Sequence, residues 1–141
     1  MFENSSWGLT ATVVAKGLDA SMLRQEVYSN NLANLNTPGF KRDDVVFESE
    51  LRRALYGPQP IPANRTMPKH FKFKGEITVN EVKPGIFLEK DTFSRNDENN
   101  VDLNEEMANL TKNELMYSSL TSIIKTNYRT LRNVIKSGGS R

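Results

Sequence analysis

A regular apolar stripe in the last third of the chain restricts that part to a long helix. The stripe positions alternate at spacings of four and three over more than four heptads: Leu103, Met107, Leu110, Glu114, Tyr117, Thr121, Ile124, Tyr128, Leu131 and Ile135. This period is typical of a helix that packs along another helix. Residues 103–136 would span about 50 Å at about 1.5 Å per residue, more than a compact domain of this size needs. The sequence therefore predicts a partner of similar length.

Both ends of this helix carry local signals. Asp102 is an N-cap candidate, and Glu105 three positions later gives an arrangement similar to a capping box. The charged residues near the other end are all basic and suit the negative end of the helix dipole; they are Lys125, Arg129, Arg132, Lys136 and Arg141. Gly138 and Gly139 end the helix. The limits of this element are thus well specified by the sequence.

The N-terminal segment supplies the predicted partner. Residues 6–36 carry a second stripe at the same spacings: Leu9, Val13, Lys16, Ala20, Leu23, Val27, Asn31 and Asn34. Gly17 interrupts it at a cost of about 1 kcal/mol relative to Ala. We therefore predict a mainly α protein in which the two terminal helices form an antiparallel, coiled-coil-like pair. Two helices still leave apolar surface exposed, which favours coverage by neighbouring subunits.

The middle of the chain has a different composition. Val45, Val46, Phe47, Leu51 and Leu55 predict a short helix packed on the pair. Four prolines between positions 58 and 68 exclude a long helix there, so this stretch is predicted to be a loop. The alternation through residues 71–79, with Phe87 after a turn at residues 83–85, indicates short strands or a β-hairpin. We therefore divide the chain into three regions: an N-terminal helix and turn (residues 1–41), a variable middle region (42–100) and a C-terminal helix (101–141).

Composition and charge argue against several classes of protein. The 141 residues include no Cys, which excludes disulfides, thiolate catalysis and Cys-based metal sites. A net charge of only +2, mixed along the chain, does not indicate a large nucleic-acid surface. The N-terminus lacks the pattern of a Sec signal peptide, and no apolar run approaches membrane-spanning length. We therefore expect a non-enzymatic protein without a membrane span.

Candidate catalytic or metal-binding residues are few. His70 is the single histidine and lies between Lys69 and Lys72, which disfavour a bound cation. The carboxylates at 43–44 and 97–102 match no EF-hand spacing, and such side chains in polar loops are usually solvated. Lysines alternate with Phe71 and Phe73, a pattern that can bind single-stranded nucleic acid. Nearby glutamates reduce the positive electrostatic potential of this segment, which argues against such a site. The sequence predicts no catalytic, cofactor-binding or metal-binding residue.

Residues 30–41, NNLANLNTPGFK, combine a helix end with a turn. Asparagine carboxamides cluster here, and such side chains bond readily to the backbone at fraying helix ends. Pro38 biases Thr37 toward extended conformations, and Gly39 permits a positive φ, so the chain turns and leaves through Phe40. An ordinary helix C-terminus would explain these residues as well as a functional motif would.

Residues 30–41 are also similar to the N-terminal signature of bacterial flagellar axial proteins, the rod and hook subunits. In that family an Asn-Asn-Leu-Ala-Asn run is followed by Thr-Pro-Gly, an aromatic residue and Lys. Residues 99–135 resemble its C-terminal helix, and the short chain resembles the proximal-rod branch rather than the longer hook and distal-rod subunits. The C-type proximal-rod protein is a sibling with the same features. Glu98 departs from the pattern, because the family has Gly there.

The resemblance implies a structural rod subunit that assembles helically, transmits torque and is exported into the periplasmic rod without a cleaved signal peptide. Implied partners are further copies of the chain, the C-, F- and G-type rod proteins, the FliE adaptor, and the flagellar export gate and MS ring. The expected assembly residues are Asn30, Asn31, Leu32, Asn34, Thr37, Pro38, Gly39, Phe40, Leu103, Met107, Leu110, Tyr117, Ile124, Tyr128, Leu131 and Ile135. The residues alone leave two other classes open, a soluble helical adaptor or export chaperone and a nucleic-acid binder.

Overall fold

The computed structural model describes residues 6–57, 78–89 and 98–138. Its elements, in chain order, are α1 (Ser6–Ala33), β1 (Asp43–Val46), α2 (Glu48–Tyr56), a 3-10 turn (Val79–Glu81), β2 (Gly85–Leu88) and α3 (Leu103–Gly138). The two long helices lie side by side, and the short elements pack near the end of α1 and the start of α3. The protein is therefore mainly α, as the sequence predicts.

Contacts at both ends of the long helices show that they run antiparallel. Near the end of α1, the Asn31 amide donates to the Glu106 carboxylate, with an Nδ2–Oε2 distance of 3.1 Å. Near the start of α1, the Trp7 and Tyr128 rings meet edge to face with centroids 6.4 Å apart. Since residue numbers rise along α1 as their partners' numbers fall along α3, the predicted antiparallel pair is confirmed.

The limits of the long helices agree closely with their local signals. Asp102 caps α3, because its Oδ1 accepts hydrogen bonds from the backbone N–H groups of Asn104, at 2.7 Å, and Glu105, at 3.3 Å. The Glu105 side chain binds Arg42, which lies outside the capping motif. The third helix ends at Gly138, within the predicted Gly-Gly stop, and α1 ends at Ala33, three residues before the predicted limit.

The predicted strand at Phe87 is present in an antiparallel pair, but Val79 is not part of that pair. Strand β2 pairs antiparallel with β1, placing Val45 opposite Ile86. Val79, which we expected in the hairpin, belongs to the 3-10 turn, and residues 71–77 lie outside the described residues. Val45 and Val46 were expected in a helix. They form a strand because alternation buries Val45 on the helix pair and leaves Val46 exposed.

The core is small and lies where the short elements meet α1. Phe47 is buried with Ala20 and Val82, and Leu51 and Ala54 of α2 pack on them. This confirms a short helix in the middle region, beginning at Glu48. A second buried cluster joins β1 to the long helices through Val27, Tyr28 and Val45, with Leu23 and Leu110 against it. None of the helices in the described ranges has the length and apolar composition needed to cross a membrane.

Candidate functional site

The two stretches that carry the family resemblance bind each other. Asn99, just before α3, is fully buried, and its side-chain amide lies within hydrogen-bond distance of three backbone carbonyls in the turn that follows α1. The distances are 3.1 Å to Asn34, 3.1 Å to Leu35 and 2.9 Å to Thr37. One asparagine therefore holds the turn after α1 against the residues that precede α3.

The turn after α1 and the residues before α3 each contain one residue with a positive φ, and a hydrogen bond joins the two segments. Gly39 has a φ of 72°, and Phe40 N–H donates to the Thr37 carbonyl at 3.3 Å. Lys41 Nζ donates to the Glu98 carbonyl at 2.7 Å. Glu98 itself has a φ of 64°, a left-handed conformation that glycine adopts readily. The position where the family pattern has Gly is thus one whose backbone favours Gly.

Asn31 joins α1 to β1 and α3. Its side chain is fully buried, donates to the Asp43 carbonyl at 2.8 Å and accepts from the Asp43 N–H at 3.0 Å. The same amide lies 3.1 Å from the Glu106 carboxylate. These contacts use both amide protons and one of the two acceptor positions of the carboxamide, and they connect three segments. Asn31 is therefore enclosed by its own chain, and its role in assembly stays a prediction.

Arg42 lies among three carboxylates beside this contact. Its guanidinium is 2.6 Å from Glu105, 3.3 Å from Glu89 and 3.5 Å from the fully buried Glu106. Burial raises the pKa of Glu106, and the hydrogen bond from Asn31 and the charge of Arg42 oppose that rise. We call Asn31, Arg42, Asp43, Glu105 and Glu106 the polar cluster. The polar cluster holds β1 against the helix pair, and we therefore interpret it as a stabilising contact within the fold.

The other carboxylates singled out in the sequence have local roles. Asp44 Oδ1 accepts a hydrogen bond from the Val45 N–H at 2.7 Å, and Asp102 caps α3. His70 and Asp97 lie outside the described residues.

The turn residues expected at an assembly interface differ in exposure. Asn30, Thr37, Pro38 and Gly39 are exposed, whereas Leu32, Asn34 and Phe40 are half-buried. Only Asn31 is fully buried by its own chain. An assembly role for the exposed members stays a prediction.

On α3, the face that packs against α1 is partly polar. Its buried members are Glu106 and Asn113, each one residue before a position of the predicted stripe. An apolar pattern could not reveal them, because their burial depends on partners in distant segments. Leu110 and Ile124 are half-buried on this helix. The other residues of α3 that were predicted at an assembly interface expose large apolar side chains: Leu103, Met107, Tyr117, Tyr128, Leu131 and Ile135.

Comparison with known proteins agrees with these motifs. Residues 13–41 match the family model described as flagella basal body rod protein, and they include the turn bound by Asn99. The flagellar basal body rod protein FlgB of Borrelia hermsii is 38% identical over 121 residues, covering 84% of this chain and 90% of that protein. The chain belongs to the FlgB family. FlgB of Borreliella burgdorferi is 34% identical with the same coverage, and FlgB of Aquifex aeolicus is 31% identical, covering 86% of this chain and 88% of that protein.

Membership in the FlgB family decides between the alternatives left open by the residues. Relatives named FlgB match 84–86% of the chain, so neither the C-type sibling nor a soluble adaptor is favoured. The chain is a structural subunit of the flagellar basal-body rod.

Proposed function

We propose that this chain is a subunit of the proximal rod that assembles helically and transmits motor torque toward the hook and filament. The observation that carries the proposal is the apolar stripe that α3 leaves exposed along its length, from Leu103 to Ile135. Single exposed apolar side chains are ordinary, but an extended row of them marks an interaction surface. Neighbouring subunits cover this row in the assembled rod.

The nature of the contact follows from its geometry. The stripe lies along one helix, and the surface that covers it belongs to a different part of the neighbouring molecule. Such contacts are open-ended, and when the rotation between subunits does not close they produce a helical assembly. Torque then passes through buried helix surface. Copies of this chain, the C-, F- and G-type rod proteins, the FliE adaptor, and the export gate and MS ring are the proposed neighbours.

The three regions of the chain have different proposed roles. Residues 1–41 and 101–141 form the axial part, and residues 42–100 lie toward the outside of the rod. Support comes from the packing of α1 on α3, with the short sheet at one end of the pair. The proposed location is the periplasmic part of the rod, reached by flagellar export without a cleaved signal peptide.

A cryo-EM map of basal bodies, purified from cells that express this chain, tests the proposal. We expect density for α1 and α3 at the base of the rod, with other subunits against the exposed stripe. A complete rod that lacks this chain would overturn the proposal.

A matched pair of variants tests the role of the stripe. Met107 and Ala108 are both exposed on α3, but only Met107 belongs to the stripe. We expect Met107→Asp to reduce incorporation into the rod strongly and Ala108→Asp to retain it, with export measured separately for both. Equal incorporation of the two variants would show that the stripe is not an assembly surface.

A further inference from the structure

The two long helices form a groove that includes two positions of the α3 stripe, Glu114 and Tyr117. It has a volume of about 310 Å³ and is lined by Ser21, Met22, Gln25, Asn113, Glu114 and Tyr117. Met22 is 63% exposed and Tyr117 is 44% exposed, so the walls offer apolar surface to solvent. Exposed Glu114 adds a carboxylate to one side. The groove therefore combines apolar walls with negative charge.

Asn113 lines the groove and carries a buried acceptor atom without a partner among the described residues. Only 6% of this residue is exposed, and its amide donates to the Ser21 carbonyl at 2.9 Å and to Gln25 Oε1 at 3.3 Å. Its Oδ1 atom is buried and has no hydrogen-bond partner in the described part of the chain. A buried acceptor without a donor is costly and unusual in native proteins.

The C-terminal end of α3 has the complementary chemistry. Tyr128 contacts Trp7 near the start of α1, and α3 continues for ten further residues to Gly138, about 15 Å. Leu131, Val134 and Ile135 are exposed there. The charged residues of this end are Arg129, Arg132 and Lys136, and no carboxylate follows Glu114 in the sequence. Arg and Lys side chains are donors only, so this end offers apolar groups, positive charge and donors together.

We propose that the groove binds the end of α3, residues 129–138, from a second copy of this chain. The inference rests on the proposed function, since it names one of the contacts within the rod. The apolar side chains of that end cover Met22 and Tyr117, and one of its cations lies beside Glu114.

The occupant belongs to another copy because of distance along the helix. Tyr117 and Val134 are separated by about 25 Å on one straight helix, so the end of α3 cannot reach the groove of its own chain. The contact joins two different surfaces and leaves each copy with one free groove and one free helix end. It is therefore open-ended and compatible with a helical assembly.

Disulfide trapping tests the contact, because the chain contains no Cys and each introduced thiol is unique. We expect basal bodies assembled from the Met22→Cys, Val134→Cys double variant to give a ladder of linked copies after mild oxidation. Each single variant should give no ladder, since disulfides need Cα atoms within about 7 Å. The matched control is Ser29→Cys with Val134→Cys, because Ser29 is exposed on α1 outside the groove.

Charge reversal in the trapping background provides a second readout. Glu114→Arg or Arg132→Glu alone should lower the yield of linked copies by up to about fivefold, the range expected for an exposed ion pair, and the two together should restore it. Tyr117→Cys with Ile135→Cys provides a second pair should the first not incorporate.

The outcomes separate this inference from the proposed function. Rods that contain either double-Cys variant at normal levels without linked copies would overturn the groove contact and leave the rod assignment intact. Complete rods without the wild-type chain would overturn both.

Discussion

Asn31 takes the place of a backbone peptide beside β1. It donates to the carbonyl of Asp43 and accepts from its N–H, as a neighbouring strand would, and it also reaches Glu106. The sequence predicted an asparagine cluster bonding to backbone at a helix end. It could not predict which asparagine is buried, because the partners lie 12 and 75 residues away along the chain. Long-range contacts of this kind leave no local signal.

Replacing Asn31 tests this contact against an adjacent control. We expect Asn31→Ala to lower the free energy of unfolding by about 3 kcal/mol, because a buried N–H and a carboxylate lose their partner. Exposed Asn30→Ala should cost less than about 0.5 kcal/mol. Urea unfolding followed by circular dichroism measures both changes, and equal losses would contradict the role assigned to Asn31.

Glu98 adopts a backbone conformation that disfavours its own side chain. A left-handed conformation costs a residue other than Gly about 1–2 kcal/mol, and the greater freedom of Gly in the unfolded chain offsets part of the gain. We expect Glu98→Gly to stabilise the protein by about 0.5–1 kcal/mol in thermal unfolding. Glu98→Ala removes the same carboxylate without relieving φ, and should give no gain. Equal stabilisation by both variants would point to the charge instead of the backbone.

Glu106 makes the stability of the folded protein depend on pH. Burial raises its pKa above that of the unfolded chain, so the folded state binds this proton more tightly. This contribution is fully present below the unfolded pKa and is lost as pH rises through the folded pKa. We therefore expect the free energy of unfolding of the wild type, relative to that of Glu106→Gln, to increase as the pH falls from neutral. Urea unfolding of both proteins at several pH values measures this difference. A difference independent of pH would contradict the raised pKa.

At the level of elements, the sequence predicted the limits and the pairing of the long helices, because local residue patterns determine both. Asp102 and the Gly-Gly stop gave the limits of α3, and the apolar period gave its pairing with α1. The strand pairing could not be predicted, because Val45 and Ile86 are 41 residues apart in sequence and only the alternation within each strand is local. The face of α3 that packs against α1 could not be predicted from the sequence either. Its buried members, Glu106 and Asn113, are polar and are missed by an apolar pattern.

Gly17 sits where the two long helices come close together. A Cβ atom there would lie 3.1 Å from Leu120 Cδ1, a contact that half-buried Leu120 relieves by a small shift. Ala gains about 1 kcal/mol of helix propensity, so Gly17→Ala should give a net stabilisation of about 0.5 kcal/mol. Gly17→Leu has no such room and should destabilise the pair by about 2 kcal/mol. Urea unfolding measures both, and a stabilising Leu would show that the helices are farther apart.

Across the whole molecule, buried contacts concentrate at one end of the helix pair. The polar cluster and both buried apolar clusters lie beyond Gly17 toward the end of α1, whereas residues 129–138 of α3 are exposed. Local opening of a helix is easiest where few buried contacts oppose it.

Hydrogen exchange of the isolated chain measures this distribution. We expect slow amide exchange in residues 20–31 and 106–113 and fast exchange in residues 129–138. In assembled rods the last segment should become protected as well. Uniformly slow exchange along the whole of α3 in the isolated chain would contradict this expectation.

The contacts before and after the middle region have a consequence for how such a chain can vary. Lys41 Nζ binds the Glu98 carbonyl at 2.7 Å, and the Arg42 N–H donates to Asn100 at 2.7 Å. Residues 42 and 100 thus meet at one place on the helix pair, although β1 and α2, which lie between them in sequence, pack against α1. The free-energy cost of closing a loop rises only slowly with its length, so insertions between these two contacts that leave β1, α2 and β2 intact would disturb the long helices little. The same helix pair can therefore carry middle regions of very different size.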